Sequence, residues 1–451
     1  MNVVGIDIGT TTIGVLAVDA HSGKTVKSIT VNSDSFITTE NAYKKIQSVE
    51  IIVKRVFALL DEIMATCSPV CCIGVTGQMH GIVYIDGDGK ACSPLATWQD
   101  GRANLKCADG TTYCEKIAEL TGIKTSSGYG LATHYYNIQN GLVPENAETF
   151  CTIHDYIVML LCGNKRPLMH TSDAASFGLY DLKTAQFNKE ALKILGIDSD
   201  MLPDVTDKET AAGTYQGIPV SVAIGDNQAS FIGSVSDSEN TVLVNIGTGS
   251  QISVLGSIVT YFSSVETRPL TGGKHILVGS ALCGGRVFAC LENFFKTAFA
   301  EYAGKCESAY AFMDKLAEQN YPIENELIVD TSLSGTRSNP NVRGKIENIC
   351  IDNFTPAHLV CGVLKGSVAE LYGMYQEIRP SLVKKPTVLV GSGNGLRKSP
   401  VWRRITEEMF GMKMSVPLHK EEAAYGAAIF ALAACNVYKD IATAQKIIRY
   451  I

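Results

Sequence analysis

One short pattern occurs twice in this chain, and it restricts the fold more than any other feature. Residues 3–15 read Val-Val-Gly-Ile-Asp-Ile-Gly-Thr-Thr-Thr-Ile-Gly-Val: an apolar run enters Asp7, breaks at Gly9, Thr10, Thr11 and Thr12, and resumes. Residues 241–255 repeat the scheme, with an apolar run entering Asn245, then Gly247, Thr248, Gly249 and Ser250 before apolar residues return. Each copy is expected to be an antiparallel hairpin with a tight turn. Glycine lets the backbone approach a ligand, and consecutive turn N–H groups with threonine hydroxyls make an anion-binding concavity. A carboxylate beside bound phosphate needs a divalent cation between them, Mg2+ by preference, which makes Asp7 a candidate metal ligand. A plain hairpin with a polar turn is the competing reading of either copy taken alone.

The repeat is far too long for a solenoid, so two related halves facing one another are expected. Acidic Asp7 in the first copy becomes neutral Asn245 in the second, so one turn can serve a metal while the other donates to phosphate. The duplicated hairpin resembles the actin-like ATPase superfamily, which includes sugar kinases, heat-shock ATPases and actin. That resemblance implies an α/β fold of two actin-like (ribonuclease H-like) domains flanking a central catalytic cleft, with ATP as a ligand. Ser-Val-Ser-Asp-Ser-Glu-Asn at 234–240 is a polar break just before the second hairpin, so the domains are expected to be 1–232 and 233–451.

Bulk properties narrow the function classes. A length of 451 residues is long for one core and suits two domains. The net charge of −6 argues against nucleic acid or an anionic membrane as a partner. The 14 cysteines include no Cys-x-x-Cys pair and read as reduced, buried small residues rather than a disulfide framework or zinc site. No signal-peptide pattern is visible at the start, and the uncharged stretch 423–438 is short for a membrane span, so a cytoplasmic protein is expected.

Apolar residues at Ile46, Val49, Val53, Val56, Leu60 and Ile63 have helical spacing, predicting a helix over 41–64. A buried strand at 70–75 follows and ends in Thr76-Gly77-Gln78-Met79-His80-Gly81. In α/β proteins ligands collect at such strand ends, which raises the polar residues there as candidates. Thr97-Trp98-Gln99-Asp100-Gly101-Arg102 sets hydrogen-bonding groups beside an aromatic face that suits a polyol; a loop with a half-buried tryptophan and a surface ion pair is the plainer alternative. Residues 171–176 read as a polar loop, followed by a short strand at 177–180. A further strand at 219–224 ends in Gly225-Asp226-Asn227. Asp226 is the candidate catalytic base, because a hydroxyl attacking a γ-phosphate must lose its proton to a positioned group. Capping of the following helix is the competing role.

In the second half, Gly284-Gly285 at a helix start could let a nucleotide lie against the backbone. Gly391-Ser392-Gly393-Asn394-Gly395 ends a strand and offers a flat surface for adenine or ribose. Residues 301–349 carry no clear pattern and are read as a peripheral insertion. The alanine-rich helix opening at Glu421 and Glu422 is expected to pack beneath the 391–395 loop.

In their order these motifs resemble the FGGY carbohydrate kinases over essentially the whole chain. The matching words are Asp7–Thr12, Gly77–Gly81, Trp98–Arg102, Gly225-Asp226, Asn245–Ser250, Gly391–Asn394 and Glu422–Ala428. The resemblance implies transfer of phosphate from ATP, with Mg2+, to the terminal primary hydroxyl of a ketose. It assigns the base to Asp226 and metal or phosphate assistance to Asp7. Sugar contacts fall to Met79, His80, Trp98, Gln99, Asp100, Arg102 and Asn227. Nucleotide contacts fall to Thr10, Thr11, Thr12, Gly247, Thr248, Gly249, Gly284, Gly285, Gly391, Gly393 and Asn394. The words around Gln99, His154-Asp155, Arg166 and Asp173 resemble the branch acting on sedoheptulose; xylulose or another pentulose is the alternative, and a non-catalytic sugar sensor a third reading. The expected partners are the ketose and ATP, without nucleic acid or membrane, and a homodimer is left open.

Overall fold

β1 (Asn2–Ile8) and β2 (Thr12–Asp19) form the first hairpin, with Asp7 opposite Gly14 and Ile8 opposite Ile13, in a computed structural model that describes residues 1–256, 259–260, 262–336, 339 and 341–451. β3 (Thr25–Asn32) continues the antiparallel meander beyond β2. α1 (Val49–Cys67) then crosses over so that β4 (Val70–Gly77) lies parallel to β1, placing Asp7 beside Thr76 and Ile8 beside Gly77. The helix begins later than its periodicity predicts, because the Ser48 side chain caps it by accepting from Ile51 N, while Ile46 and Gln47 form a short strand.

α2 (Ile153–Cys162) runs from its Thr152 cap to a left-handed Gly163. The segment expected to be a polar loop is instead a helix, α3 (Thr171–Ser176), and the strand after it is Tyr180–Asp181. β5 (Ala211–Tyr215) and β6 (Ile218–Ser221) extend the sheet past β4. The expected continuous strand at 219–224 is broken: after β6, the two-residue β7 (Ile224–Gly225) pairs separately with the end of β4 and leads into α4 (Asp226–Ser234).

The second unit repeats this plan. β8 (Thr241–Ile246), β9 (Ser250–Gly256) and β10 (His275–Ala281) make an antiparallel meander. After α5 (Gly285–Ala303) and α6 (Pro356–Ile378), β11 (Val388–Ser392) lies parallel to β8, with Ser392 beside Asn245 as Thr76 is beside Asp7. α7 (Gly393–Lys398) and α8 (Pro400–Phe410) follow. The 301–349 stretch is not peripheral throughout: its helix Tyr310–Asn320 buries Met313 and Ala317 in the core of this unit. Positions 337, 338 and 340 of that stretch lie outside the described residues.

The chain then returns to the first unit, which comprises Met1–Ser236, Arg268–Lys274 and Glu421–Arg449; the second comprises Asp237–Thr267, His275–Lys420 and Tyr450–Ile451. A single division at 232/233 therefore misplaces the C-terminal segment. α9 (Glu422–Ala434) does not pack under the 391–395 loop but lies against β1, β4 and α4 of the first unit. Its backbone touches theirs: a Cβ on Gly5 would fall 1.9 Å from the Ala424 carbonyl oxygen, and one on Gly426 1.7 Å from that of Ala229. The small residues that signal close packing are there, but they do not say against which sheet.

Candidate active site

The carboxyl ends of β1, β4 and β7 are adjacent, which brings together residues far apart in sequence. Thr76 Oγ1 donates to the Ile224 carbonyl at 2.7 Å, and Gln78 N donates to the Ile8 carbonyl at 2.9 Å. Asp226 is the first residue of α4, after Gly225 as N-cap, and its carboxylate accepts from the Asn227 backbone N–H, so it serves the helix start as well as facing the strand ends. The Met79 side chain lies against Gly225, where an added Cβ would be 2.7 Å from the sulfur. Met79 thus packs beside the candidate base.

His80 takes a left-handed backbone, φ 73°. Its N–H donates to Ser176 Oγ at 3.1 Å, and Nδ1 lies 2.7 Å from the Ser176 carbonyl oxygen. A carbonyl only accepts, so Nδ1 carries a proton. The ring stacks on Tyr129, centroids 4.5 Å apart. Neither Tyr129 nor Ser176 stands out in sequence, since each acts through contact with His80 across a long separation.

The first turn is tied to the same region. Trp98 Nε1 donates to Thr10 Oγ1 at 2.9 Å, and Thr10 Oγ1 donates to Gln78 Oε1 at 3.2 Å. Buried Gln47 joins them, donating to the Thr10 carbonyl and accepting from Gln78 Nε2, each at 2.8 Å. Thr10 is therefore engaged with the polar loops, while Thr11 and Thr12 are exposed. Trp98 keeps 47% of its surface exposed. Gln99 is exposed and lines a shallow depression with residues of 36–45.

Asp100 and Arg102 have a different role from the one expected of them. Arg102 Nε and Nη2 donate to Asp100 Oδ1 and Oδ2 at 2.7 and 3.0 Å, and Arg102 Nη1 donates to Asn137 Oδ1 at 2.7 Å. The Asp100 side chain is 0% exposed and also accepts from Lys45 N at 3.1 Å. A carboxylate so enclosed cannot reach a sugar hydroxyl; the pair braces the loop that presents Trp98.

Electrostatics single out Asp7 and Asp226, each crowded by protein yet retaining an accessible face. Burial, then the charges of Asp226 and Glu421, push the Asp7 carboxyl up to about 8. Burial raises Asp226, while the Arg268 guanidinium draws it back. Arg268 does not stand out in the sequence and Glu421 does so only as the opening of a helix, because both lie far along the chain and return to this unit only through folding. A carboxyl raised by burial and then by neighbouring carboxylates, as Asp7 is, fits a divalent cation such as Mg2+, which would favour its ionised form.

In the second unit the turn Gly247–Gly249 meets the start of α5. Gly285 N donates to the Gly247 carbonyl at 2.7 Å and Arg286 N to that of Thr248 at 3.0 Å. The paired glycines serve this approach: a Cβ on Gly284 would lie 2.4 Å from the Gly249 oxygen. Gly393 likewise abuts Ile246 and Gly247, and Asn394 is exposed at the start of α7. Gly391 is a buried residue inside β11, opposite Val244 and against Met414, which makes it part of the sheet rather than of an exposed binding surface. Asn245 Nδ2 donates to Ser392 Oγ at 2.7 Å. Thr248 is exposed at the tip of the turn, where phosphate would be met.

The sequence pattern of the FGGY family of carbohydrate kinases, N-terminal domain, matches residues 2–242, and that of its C-terminal domain matches residues 242–435. The chain is 27% identical to a sedoheptulokinase of Homo sapiens, over 95% of this chain and 96% of that protein. It is 25% identical to a xylulose kinase of Staphylococcus xylosus, over 95% and 90%. Among solved structures, a gluconate kinase from Lactobacillus acidophilus superposes with a TM-score of 0.85 at 20% identity, over 100% of this chain and 92% of that one. At that identity the last likeness speaks for the fold alone.

Proposed function

The chain belongs to the FGGY family of carbohydrate kinases, and we propose on that footing that it phosphorylates the terminal primary hydroxyl of a ketose, sedoheptulose, to give sedoheptulose 7-phosphate. The observation that supports a working kinase best is Asp226 at the start of α4, beside Met79 and under the opposing influences of burial and Arg268. A sensor would have no use for such a carboxylate. The match to a sedoheptulokinase over nearly the full length of both chains favours the seven-carbon sugar over a pentulose.

In this reading the sugar meets the first unit at Met79, His80, Trp98, Gln99 and Asn227. His80 contacts a sugar hydroxyl, and the indole of Trp98 takes the C–H face of the chain. As the terminal oxygen attacks the γ-phosphorus, its proton passes to an Asp226 carboxylate oxygen and ADP departs. The turn Gly247–Gly249, with Gly393 and Asn394, receives the nucleotide on the second unit. Asp7 holds Mg2+, which supplies neutralisation of phosphate charge when bound.

ADP release with Mg-ATP, measured against sedoheptulose, D-xylulose, L- and D-ribulose, gluconate and glycerol, tests both levels of the proposal. Sedoheptulose should give the highest kcat/KM. A preference for xylulose would overturn the substrate and leave the kinase standing; no sugar-dependent ADP release would overturn the kinase. Asp226→Asn should lower kcat by about 10²–10⁴ while sugar still binds.

A further inference from the structure

A second group of titratable side chains lies buried in the first unit, and the phosphoryl-transfer reading uses none of it. His154 and Asp155 stand in the first turn of α2, and Asp173 stands in α3. Their exposures are 0%, 1% and 0%. Four of their polar atoms have no hydrogen-bond partner: His154 Nδ1 and Nε2, Asp155 Oδ1 and Asp173 Oδ1. Such groups are rare in folded proteins, since each forfeits hydration without compensation.

No lysine or arginine is among the charges that act on the two carboxyls: Asp155 faces Asp173, and Asp173 faces Asp226. Two buried carboxyl groups side by side need either protons or a cation. Geometry favours the cation. His154 Nε2 and Asp173 Oδ1 are 2.9 Å apart yet not aligned as a hydrogen bond. Two ligands each about 2.1 Å from one ion lie about 3.0 Å apart at an octahedral angle and about 3.4 Å at a tetrahedral one. One ligand atom from each of the three residues falls within 4.8 Å of the other two. Burial also keeps the His154 ring neutral, the form that ligates. The remaining Asp155 oxygen is oriented by Thr152 Oγ1, which donates to Oδ2 at 2.6 Å, an outer-shell bond of the kind that holds ligating carboxylates.

We propose that His154, Asp155 and Asp173 bind a divalent transition-metal ion, of the zinc or manganese class, in a closed site separate from the cation at Asp7. One imidazole and two carboxylates match the preferences of those ions better than those of calcium or magnesium. The ion joins α2 to α3 and replaces two protons with a fixed charge. It neither enters nor leaves with substrate, because its ligands are sealed from solvent.

The test is metal analysis of the full chain purified without chelator and dialysed against metal-free buffer. About one equivalent of zinc or manganese per chain is expected, and protein stripped by a chelator should take up about one Zn2+ or Mn2+ in a saturable titration. Asp173→Asn and His154→Gln should lose that equivalent, whereas Asp7→Asn should keep it. Where either variant fails to melt cooperatively, Co2+ added to stripped wild-type protein decides instead. Visible d–d bands at one equivalent would support the site. Wild-type protein that holds less than about 0.1 equivalent and shows no saturable uptake, or folded variants that keep full stoichiometry, would overturn it.

Discussion

Arg268 acts on Asp226 from a segment that comes after the second hairpin in sequence but belongs to the first unit, and it counters the effect of burial on the base. Asp226 must be ionised to take a proton, so kcat/KM should fall as pH drops through its raised pKa. Arg268→Gln removes the lowering charge and should move that acid limb upward by roughly one pH unit. An unmoved limb in the pH profile would separate Arg268 from the base. Asp7 gives a second handle. Its folded-state pKa, about 8, lies above the ordinary carboxylate value, so its contribution to stability is full at low pH and is lost as pH rises through about 8. Mg2+ favours the ionised form, so its gain in Tm should be larger at about pH 9 than at about pH 6 and absent in Asp7→Asn. Equal gains at both pH values would contradict a cation at Asp7. Asp7, Asp226, Met79 and His80 are legible in sequence because each follows directly on an apolar strand. Asp100 and Arg102 look like ligand groups for the same reason, and only their mutual bonds and burial reveal a brace.

Among the elements, α9 has an unmistakable helical composition and an unreadable address. Residues 424–434 are all buried, so no polar face indicates an orientation. Its site is set by backbone approach at Gly5, Gly74 and Gly426, where sheet, α4 and helix touch without side chains between them. Gly426→Ala would press a methyl into the Ala229 carbonyl and should cost at least about 3 kcal/mol, read as a fall in the denaturation midpoint at unchanged m-value. A near-neutral effect would mean that the helix can shift. α3 illustrates the opposite difficulty. Its six residues are too few to nucleate a helix alone, and His170, whose ring accepts from Ser172 N, with burial on several sides, makes it one.

At the level of the molecule, the chain leaves the first unit after Ser236 and comes back to it at Arg268–Lys274 and Glu421–Arg449. Residues 1–236 alone would expose the faces of β1, β4 and α4 that α9 covers. Expressed by themselves they should show no cooperative thermal transition and should bind an apolar dye; a cooperative fold would refute the dependence on the C-terminal segment. Among the described residues no helix is long and apolar enough to cross a membrane. The sequence by itself determined the two hairpins, the α/β plan, the strand-end position of Asp226 and the family, because turns, strand ends and periodicity are written in neighbouring residues. Tertiary structure alone decided that α9 closes the first unit, that Asp100 and Arg102 satisfy each other, that Tyr129 stacks on His80, and that His154, Asp155 and Asp173 meet. Those outcomes depend on which surfaces find one another across long separations, and local pattern carries no record of that choice.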